Sequence, residues 1–337
     1  MDTLSDYDYE LPVERIAQTP LADRSASRLL HLDRQTGHVE HRAFTEIVDL
    51  LCEGDLLVMN DTRVSAIRLF GHKPTGGQVE ALLLREDAPG DYEALVKPGR
   101  RLPVGARIEF EEGLAAVVAE ERPDGRKLLR FESTANLKDR LDQFGRAPLP
   151  PYIHAALSDR ERYQTVYGSS PGSAAAPTAG LHFTHEIFRQ LAERGVGTAH
   201  VTLHVGLDTF RPIQAENPAD HPIHGETCVL SQETADRIGH TRGRIIAVGT
   251  TTVRTLESLA EGPRRVRAGS MNSRLFIRPG FKFQIVDGMF TNFHMPRTTM
   301  LMMISAMAGR SQVMNAYQLA LAEKYRFLSF GDSMLIL

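Results

Sequence analysis

The sequence predicts an α/β main domain of mixed sheet and helices, into which an antiparallel β-barrel domain is inserted. From about residue 56 to 150, short β-rich runs are separated by turn residues, and no helical pattern intervenes. After residue 176, strand and helix patterns alternate instead. A chain of 337 residues also exceeds one average domain. We therefore predict a discontinuous main domain, residues 1–55 and 151–337, and a barrel domain over residues 56–150.

The first segment contains one predicted strand and one predicted helix. Residues 27–32 read SRLLHL, which is typical of a strand, and residues 45–52 have the pattern of a short helix. The polar stretch PLADRSASR carries Asp23, Arg24 and Arg28. Charged side chains in such a stretch usually face water. We expect a solvated loop here.

The barrel domain is predicted from a succession of strand-like runs. In order they are LLVMN, SAIRLFG, QVEALLL, YEALVKPG, RIEFE, LAAVVAEE and RKLLRFES. Turn signals separate them, and Pro123-Asp124-Gly125 between two β-rich runs is a good hairpin signal. Close strand spacing without helices favours an antiparallel barrel or sandwich.

The second half of the main domain begins with small residues. The run SSPGSAAAPTAG, residues 169–180, has the composition of a flexible linker, although small residues also let a backbone approach a ligand closely. Composition alone favours the linker. Beyond it, the patterns predict helices at 185–194, 253–260, 297–307 and 313–325, and strands at 198–205, 244–249, 281–286, 289–291 and close to residue 337.

Composition excludes several classes of protein. The hydrophobic content of 42% and charged content of 24% are ordinary for a globular protein, and the longest apolar runs are too short to span a bilayer. The N-terminus lacks a signal-peptide pattern, and the two cysteines have no metal-site spacing, so we expect a cytoplasmic protein. A net charge of −3 argues against a broadly basic nucleic-acid binder but leaves a local basic face open.

Histidines are concentrated between residues 182 and 294, including His182, His204, His224 and His294. Three interpretations of these histidines compete. In the first, they have no chemical function, because any single histidine is most often a surface or core residue. The H-x-x-H pairs could bind a metal, but no H-E-x-x-H motif or cysteine pair supports them. A neutral imidazole is also the natural group for general acid–base chemistry near pH 7, and we favour this interpretation.

Two strand-to-helix turns and one basic stretch are further candidates for binding. In RIIAVGTTTVRTLESL, the helix start offers free N–H groups to an anionic ligand, and Thr250 and Arg254 add donors. A capped helix without function is about equally compatible. In TNFHMPRTTM, Asn292 and His294 can form hydrogen bonds to a polar ligand or cap a helix. The stretch from 262 to 286 has no acidic residue, and it is either a solvated loop or a phosphate-contacting surface. Its basic residues are Arg264, Arg265, Arg267, Arg274, Arg278 and Lys282.

Long motifs then identify a family. Their order is DYELPVERIAQTPLADRSASRLL, LLVMNDTRV, AIRLFG, TGGQVEALLL, PLPPYI, RYQTVY, AAPTAGLHFT, VTLHVGLDTFRP, HPIHGE, VGTTTVRTLES, TNFHMPRTT and YRFLSFGDSMLIL. Together they resemble, nearly end to end, the S-adenosylmethionine:tRNA ribosyltransferase-isomerases of queuosine biosynthesis. The resemblance implies an α/β domain with an inserted β-barrel, in accord with the patterns above.

The resemblance also implies an activity. Such enzymes move the ribosyl part of S-adenosylmethionine onto 7-aminomethyl-7-deazaguanine at the wobble position of a tRNA. They isomerise the ribose, form epoxyqueuosine, and release adenine and methionine. S-adenosylmethionine is thus a co-substrate, with no metal and no further cofactor implied. The implied partner is the anticodon arm of a tRNA with a G-U-N anticodon, and we expect a monomer without membrane association.

Matching motif positions give the candidate site residues. Those for catalysis, by proton transfer, are His182, His204, His224 and Glu226. Those for binding S-adenosylmethionine are Thr178, Thr250, Arg254, Asn292 and His294. Those for the base or the tRNA are Asp61, Arg63, Glu80, Arg264, Arg265 and Arg267. Asp208, Ile223 and Gly225 depart from the family pattern.

Three other functions stay open at this point. An RNA methyltransferase would use the same donor but release S-adenosylhomocysteine. A non-catalytic RNA-binding protein would explain the basic stretch, but clustered histidines disfavour it because phosphate binding favours Arg and Lys. A histidine-rich metal hydrolase would carry stoichiometric zinc or iron.

Overall fold

The computed structural model describes residues 3–206 and 225–337, together with Ile213, Pro218, His221 and Ile223. The strands are β1 (Arg28–Leu32), β2 (Val39–Ala43), β3 (Leu56–Asn60), β4 (Thr62–Val64), β5 (Ile67–His72), β6 (Gln78–Ala88), β7 (Asp91–Lys97), β8 (Arg107–Phe110), β9 (Ala115–Glu121), β10 (Lys127–Phe131), β11 (Ser170–Ser173), β12 (Gly197–Leu203), β13 (Glu226–Leu230), β14 (Ile245–Val248), β15 (Ala260–Gly262), β16 (Arg265–Val266), β17 (Gly269–Ser273), β18 (Gly288–Asn292) and β19 (Ser333–Ile336). The α-helices are α1 (Ile47–Leu50), α2 (Leu137–Phe144), α3 (His185–Glu193), α4 (Gln232–His240), α5 (Thr250–Ser258), α6 (Thr299–Ala308) and α7 (Arg310–Ala322).

A mixed sheet of nine strands forms the main layer, in the order β17-β13-β12-β3-β14-β18-β19-β1-β2. Its centre is parallel, because β3 pairs in parallel with both β12 and β14, and β14 pairs in parallel with β18. Every residue of β3 and β14 is buried. Strands covered on both faces read as continuous apolar runs, which explains why LLVM and IIAV show no alternation. The carboxyl ends of these parallel strands meet at one edge of the sheet.

The second assembly is a closed antiparallel barrel, in the order β10-β7-β6-β5-β8-β9. Its strands run from residue 67 to 131, and its interior holds a separate apolar cluster that includes Val79, Ala81, Ile108 and Leu129. Pairing of β9 with β10 closes the barrel, so no strand edge is left open. The predicted combination of an α/β sheet with an inserted β-barrel is confirmed. The exact division of the chain into domains stays a prediction.

One predicted barrel strand belongs to the main sheet. The sequence pattern assigns LLVMN to the inserted unit, but this run is β3 at the centre of the nine-stranded sheet. The physical reason is its uniform burial, since a strand buried on both faces fits a parallel sheet better than a barrel wall. The next strand, β4, also lies outside the barrel and pairs in parallel with β11.

Three local predictions are wrong. Residues 169–180 are no flexible linker, because they contain β11 and the buried residues Ala174–Ala176. No strand forms at 281–286. There the backbone N–H groups of residues 284–286 donate at 2.9, 3.0 and 3.0 Å to the buried carboxylate of Glu257, which replaces a strand partner. Finally, Arg24 does not lie in a purely solvated loop, because it is half-buried and its guanidinium donates to the main-chain carbonyls of Gln164 and Glu161.

Within the described residues, none of the helices combines the length and the hydrophobicity that a membrane span needs.

Candidate active site

A cleft opens at the carboxyl ends of the parallel strands β14 and β18. Gly249 follows β14 with a φ of 87°, a left-handed conformation that glycine adopts without strain, and α5 begins directly after it. The cleft encloses about 640 Å³ including its mouth. Its wall is formed by Tyr152, Ala176, Pro177, Thr178, Ala179, Val205, Gly249, Thr250, Thr251, Thr291, Asn292, Phe293, His294, Met295, Thr298, Met300, Leu328 and Ser329. Thr178, Thr250, Asn292 and His294, all predicted to bind the donor, are thus brought together.

His294 is fixed on both its backbone and its ring. Its backbone N–H donates to the Tyr317 hydroxyl at 2.9 Å, and its carbonyl accepts a hydrogen bond from the Tyr9 hydroxyl. Its ring Nε2 lies 2.8 Å from Thr291 Oγ1. Burial lowers the pKa of His294 to about 4, so the ring is neutral at pH 7. His294 therefore presents a rigid, uncharged imidazole to the cleft.

Asn292 is the centre of a chain of buried hydrogen bonds. Its Oδ1 accepts from Thr178 Oγ1 at 2.9 Å, and its Nδ2 lies 3.2 Å from His182 Nε2. The other ring nitrogen of His182, Nδ1, lies 2.7 Å from Ser27 Oγ. Because Nδ2 of an amide only donates, His182 Nε2 accepts and Nδ1 carries the proton. Burial and the charge of Arg326 lower the pKa of His182 to about 3, which keeps this arrangement at pH 7.

Several residues of the cleft and its support have no signal in the sequence. The phenol of Tyr152 lies 2.7 Å from Ser329 Oγ, and burial raises its pKa to about 12, so it is protonated. Tyr9 and Tyr317 form hydrogen bonds to the backbone of His294, and Ser27 lies within hydrogen-bond distance of His182, which supports Asn292. These contacts join parts of the chain that are far apart in sequence, and no local pattern predicts them.

His204 lies at the end of β12, next to the cleft residue Val205. Its Nδ1 is 2.8 Å from Thr62 Oγ1, and burial lowers its pKa. The imidazole rests on Gly172, where an added Cβ would lie 3.0 Å from two ring atoms. Gly172 also lines an open groove between the barrel and the small sheet of β4 and β11. His204 is therefore a neutral, half-buried ring outside the described wall of the cleft but next to it.

Asp61 ties neighbouring segments together, and it also lines an open pocket beside β12. One carboxylate oxygen accepts from Thr202 Oγ1 at 2.6 Å, and the other accepts from the hydroxyls of Ser169 and Ser170 at 3.2 and 3.1 Å. Asp61 thus ties β12 to the segment that leads into β11. The neighbouring Arg63 lines the groove and pairs with Glu161 at 2.5 Å.

Glu226 and Arg254 form a buried ion pair. Glu226 Oε2 lies 2.6 Å from Arg254 Nη1, and Glu226 Oε1 accepts from the backbone N–H of Gly206 at 3.2 Å. A second guanidinium nitrogen of Arg254 donates to the carbonyl of Ser273 at 3.1 Å. The described wall of the cleft includes neither residue. Their predicted roles in proton transfer and donor binding stay predictions.

The other residues predicted to contact tRNA are dispersed. Glu80 lies on the barrel and pairs with Arg68 at 3.1 Å. Arg264 donates to the carbonyls of Thr241 and Gly243 and pairs with Asp287 at 2.7 Å, so it ties its own turn to the loops before β14 and β18. In contrast, Arg265 and Arg267 are exposed. The basic stretch therefore offers only part of its charge to a ligand.

Two residues named in the sequence analysis, His224 and Asp208, lie outside the described residues. Among residues 3–206, 225–337 and the few described between them, no three His, Cys, Asp or Glu side chains are grouped so that they could hold a metal ion.

Comparison with known proteins gives concordant matches. A family model described as "Queuosine biosynthesis protein" matches residues 4–336. The S-adenosylmethionine:tRNA ribosyltransferase-isomerase of Staphylococcus saprophyticus is 49% identical over 336 residues, which cover 98% of each chain. The crystal structure of S-adenosylmethionine tRNA ribosyltransferase from Thermotoga maritima matches with a TM-score of 0.57 and 37% identity, covering 98% of this chain and 100% of that one.

Proposed function

Because the chain belongs to the queuosine biosynthesis protein family, we propose that it is an S-adenosylmethionine:tRNA ribosyltransferase-isomerase. The observation that carries this proposal is the near-complete match to a relative of that name at 49% identity. The alternatives are not favoured. Neither a methyltransferase nor a simple RNA-binding protein accounts for the match over almost the whole chain.

The reaction we propose uses S-adenosylmethionine as a ribosyl donor. The acceptor is the aminomethyl nitrogen of 7-aminomethyl-7-deazaguanine at the wobble position of a tRNA with a G-U-N anticodon. The ribosyl carbons are rearranged to an epoxycyclopentanediol, and the product is epoxyqueuosine. Adenine leaves with the electron pair of its C–N bond, and methionine leaves with the electron pair of the C–S bond. No further cofactor is part of this proposal, and a reaction on tRNA suits the cytoplasm.

We assign S-adenosylmethionine to the cleft between α5 and the end of β18. The cleft lies beyond the carboxyl ends of parallel strands, where open α/β sheets bind their ligands. The start of α5 offers backbone N–H groups and the positive end of its dipole, which suit the carboxylate of the methionyl group. The neutral ring of His294 avoids repulsion with the sulfonium cation. These features support the assignment of Thr178, Thr250, Asn292 and His294 to the donor.

The role we propose for Asn292 is to hold the adenine. Its amide is oriented by Thr178 on the oxygen and by His182 on the nitrogen, which leaves one N–H free of these two contacts. A donor of this kind can hydrogen-bond a ring nitrogen of the leaving base. In this proposal His182 is a positioning residue, because both of its ring nitrogens are occupied.

We assign proton transfer to histidines. The positive sulfur acidifies the carbon next to it, and a base must still receive that proton. The proton can return to a ring nitrogen of adenine as the base departs. The aminomethyl group must also lose a proton before its nitrogen can attack. We propose His204 for one of these transfers, because its ring is neutral and its orientation is fixed by Thr62. His224 stays a second candidate.

One incubation tests the proposed function. Purified protein is mixed with S-adenosylmethionine and a tRNA that carries the aminomethyl-deazaguanine base, and the products are analysed by mass spectrometry. We expect adenine and methionine, with a matching mass gain on the tRNA. S-adenosylhomocysteine in their place would identify a methyltransferase. Absence of any product from folded protein would refute the assignment of substrates. Asn292→Ala should raise the KM for the donor at least 10-fold, the effect of about one lost hydrogen bond.

A further inference from the structure

Arginines from three distant segments come together beside the cleft. Arg24 and Arg162 line a small hollow of about 310 Å³, together with His182 and Ser329. Arg326 lies next to it, close enough for its charge to contribute to the lowered pKa of His182. Ser329 also belongs to the wall of the cleft. The hollow and the cleft are therefore immediate neighbours.

Main-chain carbonyls hold these guanidinium groups in place. The hydrogen bonds run from Arg24 to the carbonyls of Gln164 at 2.6 Å and Glu161 at 2.8 Å, from Arg162 to those of Ala22 at 2.9 Å and Leu21, and from Arg326 to that of Thr19 at 2.5 Å. A carbonyl is neutral, so these contacts orient the guanidinium groups without cancelling their charge. Each guanidinium group is therefore held in position by neutral partners.

Carboxylates surround the cluster without pairing with it. Within the part of the chain that the structure describes, no carboxylate forms a salt bridge with any of the three arginines. Asp23, Asp159, Glu161 and Asp332 act on them from a distance, and two of these carboxylates are engaged elsewhere: Glu161 pairs with Arg63, and Asp332 pairs with Arg28. Burial and repulsion from Arg162 lower the pKa of Arg24. The positive charges thus oppose one another.

Two guanidinium N–H groups of the cluster also lack acceptors. Arg162 Nε and Arg326 Nη1 are shielded from solvent and have no hydrogen-bond partner among the described residues. A buried donor without an acceptor is unfavourable. Unsatisfied donors and the repulsion between Arg24 and Arg162 both raise the free energy of the cluster. An oxyanion would relieve both.

We propose that the hollow binds a phosphate group of the tRNA backbone, adjacent to the nucleotide whose base enters the cleft. This inference rests on the proposed function, which supplies a polyanionic substrate. The paired N–H donors of a guanidinium group can form two hydrogen bonds to the oxygens of a phosphodiester. Three arginines also supply more positive charge than the single carboxylate of S-adenosylmethionine needs. The site is separate from the basic stretch at 262–286, and the sequence pattern of PLADRSASR gave no indication of it.

Equilibrium binding of an anticodon stem-loop tests the proposal without turnover. The probe is a synthetic RNA arm with a G-U-N anticodon and an unmodified guanine, titrated at several NaCl concentrations. Arg24→Gln and Arg162→Gln should each raise the Kd roughly 10-fold, the loss of one charge-assisted hydrogen bond. Each should also reduce the slope of log K against log salt by about 0.7–0.9, the share of one phosphate contact.

Matched variants give the controls. Arg189→Gln removes an equal charge from the exposed face of α3, where Arg189 pairs with Glu186 and Glu193, and it should leave both quantities at wild-type values. Arg162→Lys keeps the charge and should restore the salt slope. Because Arg162→Lys also loses part of the contact to Leu21 and Ala22, it distinguishes the effect of the charge on RNA binding from the effect of these loop contacts.

The proposal and the proposed function fail in different ways. If Arg24→Gln and Arg162→Gln bind RNA like Arg189→Gln, the phosphate site is wrong, whatever the enzyme catalyses. If they weaken binding of S-adenosylmethionine and leave RNA binding intact, the hollow holds the carboxylate of the donor and the proposal is overturned. A wild type that binds the RNA arm but forms no adenine contradicts the proposed function alone.

Discussion

Replacement of His182 distinguishes a positioning role from proton transfer. His182 Nε2 accepts from the Asn292 amide at 3.2 Å, and Nδ1 lies 2.7 Å from Ser27 Oγ. His182→Gln can place an amide oxygen near the position of Nε2, so it keeps an acceptor for Asn292 but cannot take up a proton. His182→Leu fills similar space and removes the acceptor. A positioning role therefore predicts that the His182→Gln enzyme keeps its activity and that the His182→Leu enzyme loses it.

The expected magnitudes follow from the buried hydrogen bond. In His182→Leu the Asn292 amide loses its acceptor, which costs about 1–3 kcal/mol. If this cost falls on donor binding, the KM for S-adenosylmethionine rises about 5- to 150-fold. In His182→Gln we expect kcat and KM within about 5-fold of wild type, because the lost bond to Ser27 costs only about 1 kcal/mol. Steady-state kinetics and circular dichroism of both variants measure these effects.

The pH dependence of stability provides an independent measurement. Burial holds the pKa of His182 at about 3 in the folded protein, against an ordinary value of 6.5. The unfolded chain therefore binds a proton at a higher pH than the folded chain does. The stability that depends on a neutral His182 is complete above pH 6.5 and is lost as the pH falls towards 3. Between these values one such group changes the free energy of unfolding by about 1.4 kcal/mol per pH unit.

His182→Gln should remove that slope. Urea unfolding of wild type and variant at several pH values between about 4 and 6 should differ in slope by about 1.4 kcal/mol per pH unit. Equal slopes would contradict a buried neutral imidazole. The positioning role itself is refuted if His182→Gln and His182→Leu both fold, both bind the donor normally, and both lose turnover to the same extent, because the ring would then carry a proton in the reaction.

Two further predictions concern the surroundings of the cleft. Gly172→Ala places a Cβ 3.0 Å from the His204 ring at a φ of +136°, so we expect lower kcat and a loss of roughly 1–3 kcal/mol in stability, measured by urea unfolding. Gly206→Ala, whose Cβ would meet no described residue within 4 Å, is the control, and an equal loss there would show that His204 is not involved. Glu226→Gln removes the carboxylate that pairs with Arg254 at 2.6 Å, and we expect about 3–5 kcal/mol of destabilisation. A change below about 1 kcal/mol would mean that the pair is effectively solvated.

Local patterns in the sequence were sufficient for most of the architecture. Alternation and turn residues predict the strands β5 to β10, which form the closed barrel. The strand-to-helix turns predict where β14 and β18 end, and the positions of Thr250, Asn292 and His294 at one cleft follow from the parallel pairing of those strands. The family, too, was identified from the motifs in their order along the chain.

Only the tertiary structure decided which distant groups meet. The apolar run of β3 has the same composition in a barrel or a sheet, and its parallel partners β12 and β14 come more than 130 residues later. His182 is a candidate base in the sequence, but Ser27 and Asn292 occupy both of its ring nitrogens. Periodicity reports how each segment buries its own apolar side chains, since those are set by local geometry. It carries no information about which polar group from another segment satisfies a buried donor or acceptor, because that depends on the packing of the whole chain.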